Sequence, residues 1–332
     1  MKNLSLLFLF LEAILIFPNL NCRRYKPLKM ETDYTKEGMI PVQGTSLHYL
    51  QWGEGGKALV ILHGLGDSPY IFSHLAREWS SRFKVNAFAR RGHGRSGSPD
   101  SGYDNQMLTN DLKSLVDHLQ LDRVFLLGWS MGGNEITEFA IRYPERTAGL
   151  IYLEAGYDYS EPAFASILDQ FPEALSPGPS DLVSLDAYRQ WYHRFWYPDL
   201  DWNEVLESNL KACTRVLENG AVEIIPGEKI TNLLVRSLTA YPRDYSKITA
   251  PVLALYTPVF FKHHSADPNL QKAYEDLENK IISPWRESNK EKLKKALKEV
   301  HIHELSMGGH ASVLFASQDS VLKLVNDFVA AH

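Results

Sequence analysis

The stretch "VFLLGWSMGGNEITEFA" (Val124–Ala140) joins an apolar run to a helical repeat through one serine set among glycines. Val124–Leu127 has the length and composition of a buried strand. Ile136, Phe139, Ala140 and Tyr143 then recur at helical spacing. Between them, Gly128-Trp129-Ser130-Met131-Gly132 is a G-x-S-x-G pentapeptide. Chance alone gives such a match on the order of once in ten chains of this length, so its strand-turn-helix context decides the reading. A corner of that kind presents the serine in a strained conformation above a sheet, and the flanking glycines relieve the crowding. Ser130 is therefore the candidate nucleophile.

A serine hydroxyl attacks well only when a base takes its proton. In this arrangement the nucleophile is followed along the chain by a carboxylate and then a histidine. "ELSMGGHASVLF" (Glu304–Phe315) follows the last strand-like run, and its glycines let His310 swing over the sheet edge toward Ser130. His310 is the candidate base. The tetrahedral intermediate of an acyl transfer needs two N–H donors. The main-chain groups of Met131, after the nucleophile, and of Leu65, in "LHGLGDS" (Leu62–Ser68), fill that role. His301 and His303 alternate in a strand and His263–His264 fall in a polar loop. Neither pair has companion ligands at zinc spacing, so no metal and no cofactor is expected.

Outward from this corner, short apolar runs alternate with amphipathic segments. "KALVILHG" (Lys57–Gly64), "FKVNAFARR" (Phe83–Arg91), "DRVFLLGWS" (Asp122–Ser130), "AGLIYLEAG" (Ala148–Gly156), "APVLALYTP" (Ala250–Pro258) and "VHIHELS" (Val300–Ser306) read as parallel strands. "SLHYLQWG" (Ser46–Gly53) reads as an antiparallel strand at the sheet edge. The alternation predicts an α/β fold, an open sheet with helices on both faces. Residues 157–245 break the rhythm: "AVEIIPG" (Ala221–Gly227) is their nearest approach to a strand, and aromatics crowd "YRQWYHRFWYPDLDW" (Tyr188–Trp202). They are expected to form a helical cap whose aromatics line an apolar pocket. The core is expected in two parts, residues 39–156 and 246–332. The lysine-rich "ESNKEKLKKALKEV" (Glu287–Val300) reads as a solvated helix face.

The whole chain, 332 residues with 44% hydrophobic content, can bury a substantial core, and its net charge of −5 gives no reason to expect a nucleic-acid partner. "MKNLSLLFLFLEAILIFPNLNC" (Met1–Cys22) carries an apolar run from Leu4 to Phe17 that is shorter than the ~18 residues expected of a spanning helix. A signal peptide over residues 1–21 and export are expected, with an uncleaved membrane anchor as the rival. Cys22 stands where lipidation would tether the chain to a membrane, although "NLNC" lacks the small residue usual before such a cysteine. A Cys22–Cys213 disulfide is the competing use; otherwise Cys213 is a buried apolar filler.

"HGLGDS", "RRGHGRSG", "GWSMGG" and "GGHA", in this order, resemble the α/β-hydrolase family over roughly residues 40–332. The resemblance implies a mostly parallel eight-stranded sheet with a cap inserted after the sixth strand. It is nearest to the esterase, haloalkane dehalogenase and carbon–carbon hydrolase group. Where relatives often carry an aspartate ahead of the R-G-H-G turn, this chain has Ala89-Arg90-Arg91. Most relatives carry the triad acid in the loop after the strand matching Pro251–Tyr256; here that loop offers only Asp267. Another branch places it at the end of the preceding strand, where Glu154 stands. Glu154 is preferred, with Asp267 and Asp158 as alternatives. Dehalogenases and epoxide hydrolases of the group use an aspartate nucleophile, which the serine at position 130 excludes. The expected reaction is cleavage of a small-to-medium, apolar, ester-like substrate through an acyl-enzyme. A thioesterase, lactonase, carbon–carbon bond hydrolase or acyltransferase would share these residues. A binding module on a dead hydrolase scaffold is the reading from another class. Oligomeric state is left open.

Overall fold

The computed structural model describes residues 34–332 except 174, 263 and 264. The segment expected to be a signal peptide and Cys22 lie outside the described residues. Among those described, no helix is long and apolar enough to cross a membrane. Cys213 is a free, buried thiol.

Among the described residues, ten strands form two sheets. The large one contains β1 (Lys36–Val42), β2 (Thr45–Trp52), β3 (Lys57–Leu62), β4 (Phe83–Phe88), β5 (Val124–Trp129), β6 (Thr147–Leu153), β9 (Val252–Tyr256) and β10 (Val300–Glu304). Their spatial order is β1-β2-β4-β3-β5-β6-β9-β10. β1 and β2 pair antiparallel, as do β2 and β4, and the six strands from β4 onward run parallel. β2 was expected at the edge; β1 takes that place. With Gly38 and Pro41 inside it and alternating exposed residues, β1 lacks the apolar run that marks a buried strand.

Strand residues alternate between two cores, as a period of two dictates. Leu59 and Ile61 of β3 join a core closed by α1 (Ser73–Trp79) and the C-terminal helix. Val60 and Leu62 face the opposite core, closed by α2 (Asn105–His118) and α3 (Gly132–Arg142). This sandwich has its loops at the carboxyl ends of the parallel strands, where α/β sheets place their sites.

After β6 the chain leaves the sheet. It forms α4 (Pro162–Asp169), α5 (Leu185–Trp196), α6 (Glu204–Ala212), the hairpin of β7 (Thr214–Val216) with β8 (Val222–Ile224), and α7 (Glu228–Leu238) before β9 resumes. The cap is thus not wholly helical, and "AVEIIPG" supplies one strand of its hairpin. The α5 aromatics have two duties. Tyr188, Trp191 and Phe195 stack along the helix and extend the core on the α1 face of the sheet into the cap, with Trp191 and Phe195 centroids 5.3 Å apart. Phe195, Trp196 and Tyr197 also line a cleft beside His310. The chain closes with α8 (Pro268–Leu277), α9 (Ser283–Ala296), α10 (Val313–Ala316) and α11 (Gln318–Ala331).

Candidate active site

The corner at Ser130 is built by what its neighbours leave out. Ser130 has φ +53°, a conformation that costs an L-residue about 1–2 kcal/mol. Close packing holds it there. A Cβ on Gly128 would lie 2.6 Å from main-chain atoms of Gly132 and Gly133, and one on Gly132 would lie 2.5 Å from the Leu62 carbonyl oxygen. Only glycines let β5 turn into α3 this tightly against β3. The Ser130 N–H donates to Leu153 O at 3.2 Å, anchoring the turn to β6.

His310 lies in the loop between β10 and α10, and its Nε2 is 2.8 Å from Ser130 Oγ. Three contacts set the ring. The His310 main-chain N–H donates to Phe260 O at 2.7 Å, Trp129 Nε1 donates to the His310 carbonyl at 3.0 Å, and the Phe260 ring stacks on the imidazole at 4.0 Å. His310 Nδ1 faces Glu154 Oε2 at 3.4 Å. With a proton on Nδ1 toward the carboxylate, Nε2 is left to accept from the serine.

Glu154, the residue after β6, is fully buried and has φ +46°. Its carboxylate accepts from Thr257 N (2.5 Å), Thr257 Oγ1 (2.7 Å), Arg286 Nη2 (2.8 Å) and Tyr157 OH (3.1 Å). Burial alone would raise its pKa, but Arg286 leads the opposing contacts, with His310 and Thr257, and they hold it below the ordinary carboxylate value. Glu154 is thus a buried anion facing His310.

The other two candidate acids are elsewhere. Asp267 caps α8, accepting from Asn269 N at 2.8 Å in an exposed position. Asp158 is satisfied by Ser160 N (3.1 Å) and Ser160 Oγ (2.6 Å) in a local turn. Asp and Ser two residues apart favour that turn over a reach across the site.

Two features escaped sequence reasoning. α9 holds most of Glu287–Val300, the stretch read as a solvated face, yet Asn289, Lys290 and Leu293 within it are buried, and Arg286, just ahead of it on the same helix, turns inward to Glu154. Its lysines masked an inward stripe at positions 286, 289, 290 and 293, the one available signal. Second, Ala89-Arg90-Arg91 is a brace. Arg90 donates to the carbonyls of His63 (2.9 Å) and Gly64 (3.4 Å) and pairs with buried Glu135. The Arg90 N–H donates to His63 Nε2 at 3.1 Å, so His63 Nδ1 carries the proton and donates to Gly64 O at 2.7 Å. Arg91 holds Asp111 with two bonds, at 2.6 and 2.7 Å. These contacts fix the loop that carries Leu65.

That loop runs against the nucleophile: a Cβ on Gly64 would sit 3.4 Å from Ser130 Cβ. Gly133 N–H donates to Ser130 O and Asn134 N–H to Met131 O, and among the described residues neither the Leu65 nor the Met131 N–H joins these turn bonds. The loop also carries Asp67 and Ser68, which meet the cap. Asn209 of α6 accepts from Ser68 N (3.0 Å) and Ser68 Oγ (2.7 Å) and donates to Asp67 Oδ1 (2.8 Å), which also accepts from Tyr192 OH (3.2 Å). Burial pushes the Asp67 carboxyl up to about 6, against the pull of Asn209, Tyr192 and Arg90.

His301, expected to stand without companion ligands, instead has Glu299 and His332 nearby, their ligand atoms within 4.8 Å of one another on the exposed surface.

The chain belongs to the alpha/beta hydrolase family, whose pattern matches residues 59–323. It is 34% identical to mouse epoxide hydrolase 4 over 234 residues, covering 68% of this chain and 61% of that one. It is 33% identical to human serine hydrolase BPHL over 132 residues, 38% of this chain and 45% of that one. The curated relatives are matched over only 30% to 61% of their own lengths. Among solved structures, E-2-(acetamidomethylene)succinate hydrolase superposes with a TM-score of 0.68 at 20% identity, covering 89% of this chain and 99% of that one. At that identity the likeness is one of fold.

Proposed function

We propose that the protein is a serine hydrolase that cleaves a carboxylic ester of a small-to-medium, apolar substrate. The observation that carries this reading is the 2.8 Å approach of His310 Nε2 to Ser130 Oγ, with buried Glu154 behind the ring. In the first half-reaction His310 takes the Ser130 proton as Oγ bonds to the carbonyl carbon. The carbonyl electron pair moves onto its oxygen, where the Leu65 and Met131 N–H groups receive the charge. As the intermediate collapses, His310 returns the proton to the departing alkoxide. A water, deprotonated by the same imidazole, then attacks the acyl-enzyme, and the acid leaves with Ser130 restored. Glu154 keeps Nδ1 protonated and stabilises the imidazolium formed twice per cycle.

The aromatic lining of the cleft beside His310 favours an apolar acyl or alcohol group. Lactones, thioesters and acyl transfer fit the same residues, and hydrolysis is preferred over transfer as the simplest outcome when water reaches an acyl-enzyme. The complete relay argues against a dead binding scaffold. The experiment is hydrolysis of p-nitrophenyl esters of rising chain length by the wild type and by Ser130→Ala. Turnover that disappears with Ser130 supports the proposal; none with any ester, thioester or lactone would remove it.

A further inference from the structure

The start of β10 lies away from the Ser130 centre. That centre gathers at the carboxyl ends of the parallel strands, whereas Glu299 and His301 stand where β10 begins, on the outermost strand of the sheet. Glu299 is held in the ladder, its carbonyl accepting from Val252 N at 3.1 Å. Residues two apart on extended chain share a face, so the Glu299 and His301 side chains project together. His332, the residue after α11, meets them there, and one donor atom of each of the three side chains lies within 4.8 Å of the others.

Ring packing sets the two imidazoles. Phe328, buried and one helical turn before His332, has its ring centroid 4.9 Å from that of His332 and 6.4 Å from that of His301. Lys57 donates to Val329 O at 2.8 Å and fixes the last turn of α11 against β3. Nε2 of His301 and Nε2 of His332 each stand 3.5 Å from the same carboxylate oxygen, Glu299 Oε1. That is longer than the about 2.7–3.2 Å of a well-made N–H···O bond. It matches the edge of a tetrahedron instead: two donors each bonded at about 2.1 Å to a zinc ion stand about 3.4 Å apart. The remaining pair, the two imidazole nitrogens, closes to the same edge by a small turn of His301, whose side chain is 51% exposed.

We infer that Glu299, His301 and His332 form a binding site for a divalent transition ion of the zinc type. Two imidazoles and one carboxylate suit zinc, whereas magnesium and calcium take oxygen shells. Each residue supplies one bond and water fills the fourth position. The site goes beyond the hydrolase reading and adds no step to ester cleavage. The ion staples the end of α11 to β10, a strand with a neighbour on one side only. As a bare surface ion-pair cluster the three groups stabilise little; an ion that binds the folded chain alone stabilises it by mass action.

The test is equilibrium dialysis of untagged protein against zinc, with thermal melts in zinc and in EDTA. Wild type is compared with His301→Ala, His332→Ala and Glu299→Gln, and with His118→Ala, which removes an exposed histidine at the end of α2. The expected result is one zinc per chain at micromolar concentration and a Tm a few degrees higher in zinc than in EDTA. Outer-shell partners of metal sites are worth about 10–100-fold in affinity, so loss of a direct ligand should weaken binding at least about tenfold and remove the Tm gain. His118→Ala should behave as wild type, and the melts in EDTA establish that every variant is folded. Uptake only at millimolar zinc, or undiminished binding by His301→Ala and His332→Ala, would overturn the site. A bound zinc that leaves Tm unchanged would overturn the staple.

Discussion

The guanidinium of Arg286 lies 2.8 Å from the Glu154 carboxylate, and both side chains are almost wholly withdrawn from water. A glutamate could not stay ionised in that position unaided, because desolvation favours its neutral form. Arg286 also donates to Thr257 O at 2.6 Å and to Tyr157 OH at 3.1 Å, so the cation is held by three groups around the carboxylate. On the proposed mechanism Arg286 would act through Glu154, as a positioning residue.

Arg286→Met should therefore raise the Glu154 pKa. In the wild type, the folded-state pKa lies below the unfolded value. The stability it contributes is complete above that unfolded value and is lost as pH falls through the folded one. In the variant the acid limb of the kcat/KM profile should move to higher pH. Removing one partner of a buried pair should also cost about 3–5 kcal/mol by denaturant unfolding. Arg286→Lys should restore part of the limb. An unmoved acid limb in a folded Arg286→Met would refute the positioning role.

Glu154→Gln and Asp267→Asn separate the candidate acids. The first should lose about 10⁴-fold in kcat, the scale seen when a triad carboxylate is replaced by its amide. The second, on the exposed cap of α8, should leave kcat unchanged. Steady-state kinetics on one ester decides between them, and comparable losses from both would leave Glu154 without its assigned role.

Ser130→Gly should be more stable than the wild type while inactive. Glycine accepts φ +53° without the crowding that a Cβ brings. A gain of up to about 1 kcal/mol is expected in urea unfolding, the usual sign of function held at the expense of stability. Ser130→Ala, which keeps the Cβ, should show no such gain. If the two variants have equal stability, strain at the elbow is not what holds the serine out.

Asp67 gives a pH signature of its own. Its folded carboxyl titrates near 6 against an ordinary 3.8, because burial outweighs its bonds to Asn209 and Tyr192. A carboxyl raised on folding stabilises the native state at low pH and loses that contribution as pH rises through this window. Asp67→Asn should flatten the decline, and above pH 7 should be the more stable protein by at most about 3 kcal/mol. Thermal melts across pH 4 to 8 report this. A wild-type curve that is flat between those limits would contradict it.

Much of the site could be read from the chain because its parts are local. The elbow needs glycines at fixed offsets from a serine, and the His310 loop needs them at its bend, so both leave marks in a short window. Five of the six parallel strands were legible for the same reason, each being a continuous apolar run, and β10, at the far edge, showed only Val300 and Ile302 alternating with histidines. β1 was not legible, because Gly38 and Pro41 break what apolar pattern it has. Arg286 was hidden by composition: a helix with so many lysines looks solvated until its inward positions are known to face a buried anion. Choosing Glu154 over Asp267 was possible only through family resemblance, since distance along the chain says little about which carboxylate a folded histidine will meet.

The reading as a whole stands on Ser130 being a hydroxyl activated by His310. The most direct measurement is intact-mass and peptide mapping after exposure to a fluorophosphonate ester. A single adduct on the peptide containing Ser130 is predicted, absent in Ser130→Ala and formed far more slowly in His310→Ala. An unmodified Ser130 in folded wild-type protein, or labelling that proceeds equally fast without His310, would contradict it.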